Sequence, residues 1–218
     1  MTAKYDVVIF GATSFVGQIL AEYYWKRHGL NGEISWAIAG RSESKLKSLQ
    51  SSLGAGAKDI PLIVADAQSP ADLKKLCAQA NVVCSTVGPY ALYGNEVVKA
   101  CAESGTHYCD LTGEVQWIDR MIQANEAAAQ KSGAKIVHCC GFDSIPSDMG
   151  VYYVQQQAKA KLGKTCKKIR MRVRKAKGEF SGGTVASLVN VTKEVSANPG
   201  LAKKLGNPYL IAPSNPKT

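Results

Sequence analysis

The sequence lacks any apolar run near the roughly 20 residues that a membrane-spanning helix requires. Its seven cysteines form no Cys-x-x-Cys pair and its three histidines have no metal-ligand spacing, so we predict no bound metal. Low-complexity tracts are absent, and apolar residues, 45% of the chain, are spread evenly, which excludes an intrinsically disordered protein. The composition therefore fits one large or two small globular domains.

The amino terminus also lacks the apolar core of a secretion signal, because Asp6 and the glycine turn at Gly11 interrupt it. Most cysteines lie inside apolar segments, which favours buried thiols in a reducing compartment over a disulfide framework. A redox pair at Cys139 and Cys140 is the alternative, although a disulfide between neighbouring residues is strained. We therefore expect a cytoplasmic protein.

Acidic residues are scarce in the last third of the chain. Residues 1–150 carry 13 basic and 15 acidic side chains, whereas residues 151–218 carry 14 basic and 2 acidic ones. The net charge of +10 thus comes from the second segment, mostly from ten basic residues within 159–177. No aromatic residue that stacks on a base interrupts that stretch, so nucleic acid is not predicted as a partner. A solvated face, pairing with acidic residues absent from this sequence, or peripheral contact with an acidic membrane or lipid-droplet surface remain open.

Residues 5–140 alternate short apolar runs with helical patterns. Strands are predicted at Tyr5–Phe10, Ile34–Ala39, Ile60–Ala65, Asn81–Val87, Thr106–Cys109 and Ala134–Cys139. Helices are predicted at Ser14–His28, Ser42–Leu53, from Ser69 onward, at Asn95–Ser104 and at Val115–Ser132. Strands that are apolar throughout and separated by helices indicate a parallel sheet covered on both faces. We predict a doubly wound α/β domain over residues 1–145.

Residues 146–218 follow a different pattern. Helices are predicted at Ser147–Lys161 and Gly182–Val195, and Lys168–Lys175 alternates apolar with basic side chains, as expected of a half-buried antiparallel strand. These elements could hardly bury a core alone. We therefore expect the start of an incomplete second α+β domain, for substrate binding or dimerisation, in a chain that is either a fragment or a shortened variant without activity. An exposed edge at Lys168–Lys175 would favour pairing with a second copy, as in a homodimer.

A glycine-rich turn directly after the first strand is the strongest local motif. It comprises Gly11, Ala12, Thr13, Ser14, Phe15, Val16 and Gly17. It matches G-x-x-G-x-x-G except that Ser14 replaces the middle glycine, and its hydroxyl is suited to cap the helix or contact a phosphate. Gly11 permits a tight turn and Gly17 close helix packing, while the helix start attracts a pyrophosphate. The alternative is a glycine turn that serves packing only.

The second predicted strand ends in Ala39-Gly40-Arg41-Ser42, without the carboxylate that usually binds the ribose of NAD. Arg41 is suited to bind a 2′-phosphate in bidentate fashion, and Ser42 to hydrogen-bond it. We therefore predict NADP as the cofactor, with NAD as the less favoured alternative. Asp66, after the third strand, is placed either near the adenine or at the start of the next helix.

Polar residues follow several strands at what should be one rim of the sheet. The fourth strand leads into Thr86, Val87, Gly88, Pro89 and Tyr90, a rigid ledge suited to the nicotinamide. Tyr90 is suited to stack on a ring, donate a proton or pack. The carboxylates are Asp110, Glu114, Asp143 and Asp148. They either make caps and turns, line a cleft or take part in chemistry.

Five motifs occur in order: GATSFVG, AGRS, STVGPY, YCDLTGE and GFDSIPSDMG. In this order and spacing they resemble the saccharopine dehydrogenase-like oxidoreductases, and most closely the trans-acting enoyl reductase branch. The resemblance covers residues 5–150 and extends more loosely to about residue 195. It implies a Rossmann domain that binds NAD(P), a second domain over the cofactor, and reduction of an unsaturated or imine-type bond, with lipid-linked substrates in the enoyl reductase branch.

The resemblance assigns the cofactor positions to Gly11–Val16, Arg41, Asp66 and Thr86–Tyr90. Hydride would pass between the nicotinamide and a small-molecule or lipid-linked substrate. For the proton route we name Tyr90 and Asp143 first and His107 third, although His107 and His138 both lie in strand contexts typical of core histidines. A catalytically silent dinucleotide-binding adaptor, associated with lipid or a protein partner, is the alternative function.

Overall fold

The computed structural model describes residues 3–175, 177–178 and 181–212. Within them one sheet contains β1 (Tyr5–Phe10), β2 (Trp36–Gly40), β3 (Leu62–Val64), β4 (Ala80–Ser85), β5 (His107–Asp110) and β6 (Ile136–Val137). The helices are α1 (Phe15–His28), α2 (Glu43–Ser52), α3 (Pro70–Cys77), α4 (Tyr90–Tyr93), α5 (Asn95–Ser104), α6 (Val115–Ser132), α7 (Ile145–Leu162), α8 (Gly182–Ala197) and α9 (Pro199–Leu205). A short 3₁₀ turn spans Ala57–Asp59.

The strand order places the starts of two loops side by side. All paired strands are parallel, in the order β3-β2-β1-β4-β5-β6. Phe10 at the end of β1 pairs with Ser85 at the end of β4. The loops that leave these strands therefore diverge from one point, where a doubly wound sheet opens a ligand crevice. The predicted Rossmann-type α/β fold is confirmed.

The sheet has an apolar layer on each face, as its continuously apolar strands require. Val8 and Phe10 of β1 pack in one layer with Trp117 of α6. Ile9, which points to the opposite face, packs in the other layer with Ile38. Burial on both faces anchors the central strands and therefore fixes the rim from which the loops emerge.

Most predicted elements of the first 140 residues are confirmed, with small shifts at their ends. The start of α3 agrees in detail, because Ser69 accepts a hydrogen bond from the Asp72 N–H and Pro70 is the first helical residue. The last strand is shorter than predicted, since β6 pairs only with β5 and Cys139 has a positive φ of 62° that turns the chain away. The sequence patterns did not predict α4 or α9.

The strand predicted at Lys168–Lys175 is wrong. These residues have no regular secondary structure, and Met171 and Val173 of the predicted apolar face are 56% and 67% exposed. A strand requires a hydrogen-bonded neighbour, and the described residues after Val137 contain none. The β part of the expected second domain, and the sheet edge expected to pair two copies, are therefore not formed in the described residues.

The helices predicted in the second segment are confirmed as α7 and α8. Both carry exposed apolar side chains, including Tyr152, Tyr153 and Leu188. On its other side α8 contacts the Rossmann domain, where Glu194 pairs with Arg120 at 2.9 Å. Among the described residues, no helix is both long and apolar enough to cross a membrane.

Candidate functional site

Two glycines of the first turn allow an unusually close approach of backbone segments. Gly11 has a φ of +87°, in the left-handed region that favours glycine. A Cβ on Gly11 would lie 2.7 Å from Val87 Cγ2 and 2.9 Å from Thr86 Oγ1. A Cβ on Gly17 would lie 2.3 Å from the Gly11 carbonyl oxygen. The two glycines thus bring β1, α1 and the loop after β4 together.

Ser14, at the position of the missing glycine, joins the two loops. Its Oγ accepts from the Gly17 N–H at 3.0 Å and so caps α1. The same Oγ donates to Thr86 Oγ1 at 3.0 Å, and Thr86 donates to the Gly11 carbonyl at 2.8 Å. The capping role predicted for Ser14 is therefore present, and its hydroxyl is engaged by protein in both directions.

The start of α1 presents unused hydrogen-bond donors. The N–H groups of Thr13, Phe15 and Val16 have no acceptor among the described residues. They carry the partial positive charge of a helix N-terminus, which attracts anions. Ala12 is fully buried behind them. Thr13 faces one cavity and Phe15 and Val16 face a second one, so the donors lie where two cavities meet.

The first cavity is a groove of about 430 Å³ across the ends of β1 to β4. Arg41 lines it, is exposed, and pairs with no carboxylate of a described residue. Ser42 caps α2 by accepting from the Lys45 N–H at 3.4 Å. Asp66 lines the groove and also makes a turn by accepting from the Gln68 N–H at 2.9 Å. The turn before α3 thus involves Asp66, while its placement near the adenine stays a prediction.

The second cavity, the inner pocket, has a volume of about 320 Å³ and lies between the glycine turn, the loop after β5 and α8. Ser14, Thr86 and Gly88 line both cavities, so the crevice is continuous. Its described lining contains no lysine or arginine, whereas its apolar members are Phe15, Val16, Leu111, Leu188 and Val191. Asp143 is an exposed carboxylate on its rim.

The predicted ledge lies where the two cavities meet. Val87, Gly88 and Pro89 line the groove, and the Gly88–Pro89 peptide bond is cis. The buried Glu114 carboxylate holds the next two residues, since it accepts from the Tyr90 N–H at 2.8 Å and from the Ala91 N–H at 3.0 Å. These bonds cap α4 and fix the ledge from below.

Tyr90 directs its hydroxyl into the protein. The hydroxyl donates to the Ser85 carbonyl at 3.1 Å and accepts from the Leu111 N–H at 3.4 Å. Its ring packs on Trp117, with centroids 5.5 Å apart. Burial of the ring, with a contribution from the Asp110 charge, raises the pKa of Tyr90 well above its usual range. This geometry favours the packing role over the proton-donor role.

Asp110 holds the neighbouring loops and is fully enclosed. Its Oδ1 accepts from the N–H groups of Thr112 and Cys139, each at 3.1 Å, and its Oδ2 lies 2.7 Å from His138 Nδ1. The His138 ring packs edge-on against Trp117. Asp110 and His138 therefore serve structure, as the strand context of His138 predicted. His107 lies away from the crevice, where its Nδ1 accepts from the Lys135 N–H.

The remaining polar candidates lie apart from the crevice. Asp148 is an exposed residue in the first turn of α7, and Ser144, before that helix, makes no side-chain capping bond.

All seven cysteines are free thiols, and only Cys140 of the seven is exposed. Among the described residues, no cluster of His, Cys, Asp and Glu is arranged to hold a metal ion.

Several residues of the crevice wall were not predicted from the sequence, among them Tyr93, Ser187, Leu188 and Val191. Tyr93 lines the groove, and its spacing of three residues from Tyr90 within α4 was an available signal. Ser187 of α8 lines the inner pocket and donates to Glu114 Oε1 at 2.8 Å. No local signal identifies Ser187, because 73 residues separate it from Glu114.

Comparison with known proteins agrees with this geometry. Residues 7–137 match the saccharopine dehydrogenase NADP binding domain. A Mycobacterium tuberculosis protein provisionally named a trans-acting enoyl reductase is 40% identical over 210 residues, which are 96% of this chain and 49% of that protein. The trans-acting enoyl reductase of Mycobacterium bovis is 38% identical over 209 residues, with coverages of 95% and 49%. The chain spans about half the length of these curated relatives.

A solved structure supports the fold. The apo saccharopine dehydrogenase (L-Glu forming) of Saccharomyces cerevisiae superposes with a TM-score of 0.57 and 22% identity, covering 72% of this chain and 32% of that chain. The matched domain is an NADP binding domain, which agrees with the cofactor predicted from Arg41 and Ser42. The chain therefore belongs to the saccharopine dehydrogenase family, and the NADP binding domain of that family matches about three fifths of it.

Proposed function

We propose that this chain is the NADPH-binding part of an oxidoreductase that reduces the carbon–carbon double bond of an enoyl substrate carried on a lipid or acyl chain. The observation that carries the proposal is one continuous crevice, with free N–H donors at its centre, Arg41 at one end and an apolar pocket at the other. The names of the mycobacterial relatives support the reaction type.

The residues present fit the cofactor. Gly11 and Gly17 let the turn pack closely against its neighbours, and three N–H groups are left to bind a pyrophosphate. Arg41 has five N–H donors in a planar fork, which suits a 2′-phosphate. The ledge at Gly88 and Pro89 lies between the groove and the inner pocket, where the nicotinamide end would bind.

The lining of the inner pocket favours an enoyl over an amino-acid-derived imine. An amino-acid substrate carries a carboxylate that needs a cationic partner, and no lysine or arginine lies in the described lining. Leu111, Leu188 and Val191 instead provide apolar surface for an acyl chain.

NADPH would supply the hydride for this reduction. The protein would position the double bond against the ledge and deliver a proton to the carbon that does not receive the hydride. Asp143 has no hydrogen-bond partner among the described residues and faces the inner pocket, so we propose that it lies on the proton route. Tyr90 would contribute its ring as a wall of the pocket.

Arg41→Ala is expected to weaken NADPH binding about 10- to 100-fold, because charged hydrogen bonds contribute roughly 1.5–3 kcal/mol. NADH lacks the 2′-phosphate, so its affinity should change less than twofold. Cofactor fluorescence measures both affinities, and NADPH oxidation with an α,β-unsaturated thioester of a long acyl chain measures turnover.

Arg27→Ala is the matched control, since Arg27 is exposed on the last turn of α1, outside the crevice lining. Equal losses for NADH and NADPH in Arg41→Ala would contradict the 2′-phosphate contact. NADPH binding without turnover, in this chain and in a relative of full length, would favour the silent adaptor instead.

We propose as a second candidate function that residues 168–175 contact an acidic lipid surface. Arg170, Arg172 and Arg174 are exposed, and none pairs with a carboxylate of a described residue. The preceding α7 also exposes two aromatic side chains, Tyr152 and Tyr153. Basic clusters of this kind gain about 1 kcal/mol per side chain near an anionic membrane.

The triple variant R170Q/R172Q/R174Q is expected to lose more than about tenfold in affinity for phosphatidylserine vesicles in co-sedimentation, given roughly 1 kcal/mol for each charge. Binding of the wild type should fall steeply between low and physiological salt, because counter-ions screen it. The control R27Q/K131Q/K135Q removes the same charge from the Rossmann domain. Equal losses in both triple variants would indicate a net-charge effect and contradict a local surface.

A further inference from the structure

The docking of α8 on the Rossmann domain relies on two polar contacts along one face of the helix. Ser187 Oγ donates to Glu114 Oε1 at 2.8 Å, and Glu194 pairs with Arg120 at 2.9 Å. Positions seven apart lie on the same side of a helix, two turns from each other. The Ser187 contact lies at the inner pocket, whereas the Arg120 contact is half-exposed.

The Glu114 carboxylate is shared between both walls of the inner pocket. Its two oxygens accept from the N–H groups of Tyr90, the last residue of the ledge, and of Ala91, which follows it. Oε1 also accepts from Ser187. Glu114 is only 2% exposed, so these bonds replace the water that a charged carboxylate would otherwise need. A side chain held by two backbone donors cannot move independently of the ledge.

The Ser187 hydroxyl therefore couples the position of α8 to that of the ledge through the Glu114 carboxylate. Gly88, Tyr90 and Glu114 line one side of the inner pocket, while Ser187, Leu188 and Val191 line the other. The Glu114–Ser187 hydrogen bond is the polar contact that joins the two sides within the described residues.

We propose that Glu114 and Ser187 are positioning residues, which fix α8 relative to the ledge and thereby set the width of the inner pocket. This inference rests on the proposed function insofar as the pocket receives the nicotinamide end of NADPH. The adenine end of the cofactor, held near Arg41, would not depend on this pair.

Ser187→Ala is expected to weaken NADPH binding about five- to tenfold, within the range for the net contribution of one ordinary hydrogen bond. Binding of 2′-phospho-ADP-ribose, which lacks the nicotinamide, should change less than twofold. A role limited to overall folding would weaken both ligands together. Ser187→Thr keeps the hydroxyl and should restore most of the difference in NADPH binding.

Ser196→Ala is the matched control on the same helix, because Ser196 is exposed and its hydroxyl donates only to the Thr192 carbonyl. Amide hydrogen exchange provides a test that needs no cofactor. Ser187→Ala should speed exchange of the Tyr90 and Ala91 N–H groups about threefold or more, whereas Ser196→Ala should not.

The possible results separate the two proposals. If the wild type binds neither ligand, the proposed function fails, and the exchange at Tyr90 and Ala91 still decides the positioning role. The positioning role is overturned if Ser187→Ala behaves like Ser196→Ala in both measurements. These are the exchange rate of the Tyr90 and Ala91 N–H groups and the ratio of the affinities for NADPH and 2′-phospho-ADP-ribose.

Discussion

Gly17→Ala is expected to lower the free energy of unfolding by at least about 3 kcal/mol, at the upper end of overpacking costs. The new Cβ would lie 2.3 Å from the Gly11 carbonyl oxygen and 2.8 Å from Ala12 Cα. Both neighbours are backbone atoms between β1 and α1, so no side-chain rotation relieves the clash. Urea denaturation followed by circular dichroism measures the loss, and NADPH affinity should fall with it because the helix start is displaced.

Gly150→Ala is the matched control. Gly150 also lies inside a helix, α7, but a Cβ there would have no atom within 4 Å. Alanine is the better helix former by about 0.8–1.0 kcal/mol, so this variant should be neutral or slightly more stable. A Gly17→Ala protein with wild-type stability and NADPH affinity would show that α1 can move away from β1, which would contradict the role assigned to Gly17.

Asp110→Ala is expected to destabilise the fold by about 3–5 kcal/mol, because several enclosed polar groups would lose their partner at roughly 1–3 kcal/mol each. The N–H groups of Thr112 and Cys139 would lose their acceptor, and His138 would lose its partner in an enclosed site. Asp110→Asn keeps one carbonyl oxygen of the same shape for the two N–H groups, so a smaller loss is expected. Chemical denaturation of both variants measures the difference.

Asp6→Ala tests whether burial causes this effect. Asp6 also accepts three hydrogen bonds, from the Ser35 N–H, the Ser35 hydroxyl and Asn81 Nδ2, but these groups are exposed. Water can replace the lost acceptor there, so we expect a cost of about 1 kcal/mol or less. If Asp6→Ala and Asp110→Ala cost the same, enclosure of Asp110 would not explain its importance.

Local patterns predicted the elements whose need for burial or capping is evident from their own residues. The apolar runs of β1 and β2 require burial on both faces, and Ser69 followed by Pro70 satisfies the donors of a helix start. The same reasoning was wrong at Lys168–Lys175, where the alternation of apolar and basic side chains predicted a strand. A strand is stable only with a hydrogen-bonded neighbour, and none of the described strands pairs with this segment. Periodicity alone contains no information about such a partner.

The positions of the site residues could be predicted from the sequence where these residues directly follow the end of a strand. Parallel strands place their carboxyl ends at one rim, so the order of motifs located the glycine turn, Arg41 and the ledge. The role of each rim side chain was less predictable. Tyr90 had three roles open, and its bonds to the Ser85 carbonyl and the Leu111 N–H favour packing.

The sequence by itself determined the fold class, the dinucleotide motif and the preference for a 2′-phosphate, because each depends on residues that are neighbours in the chain. Only the tertiary structure decided which polar groups are engaged by protein and which remain free to bind a ligand. Ser14 and Glu114 make contacts across 72 and 73 residues, with Thr86 and Ser187 respectively. Such contacts arise when packed layers bring distant segments of the chain together, so no local sequence pattern predicts them.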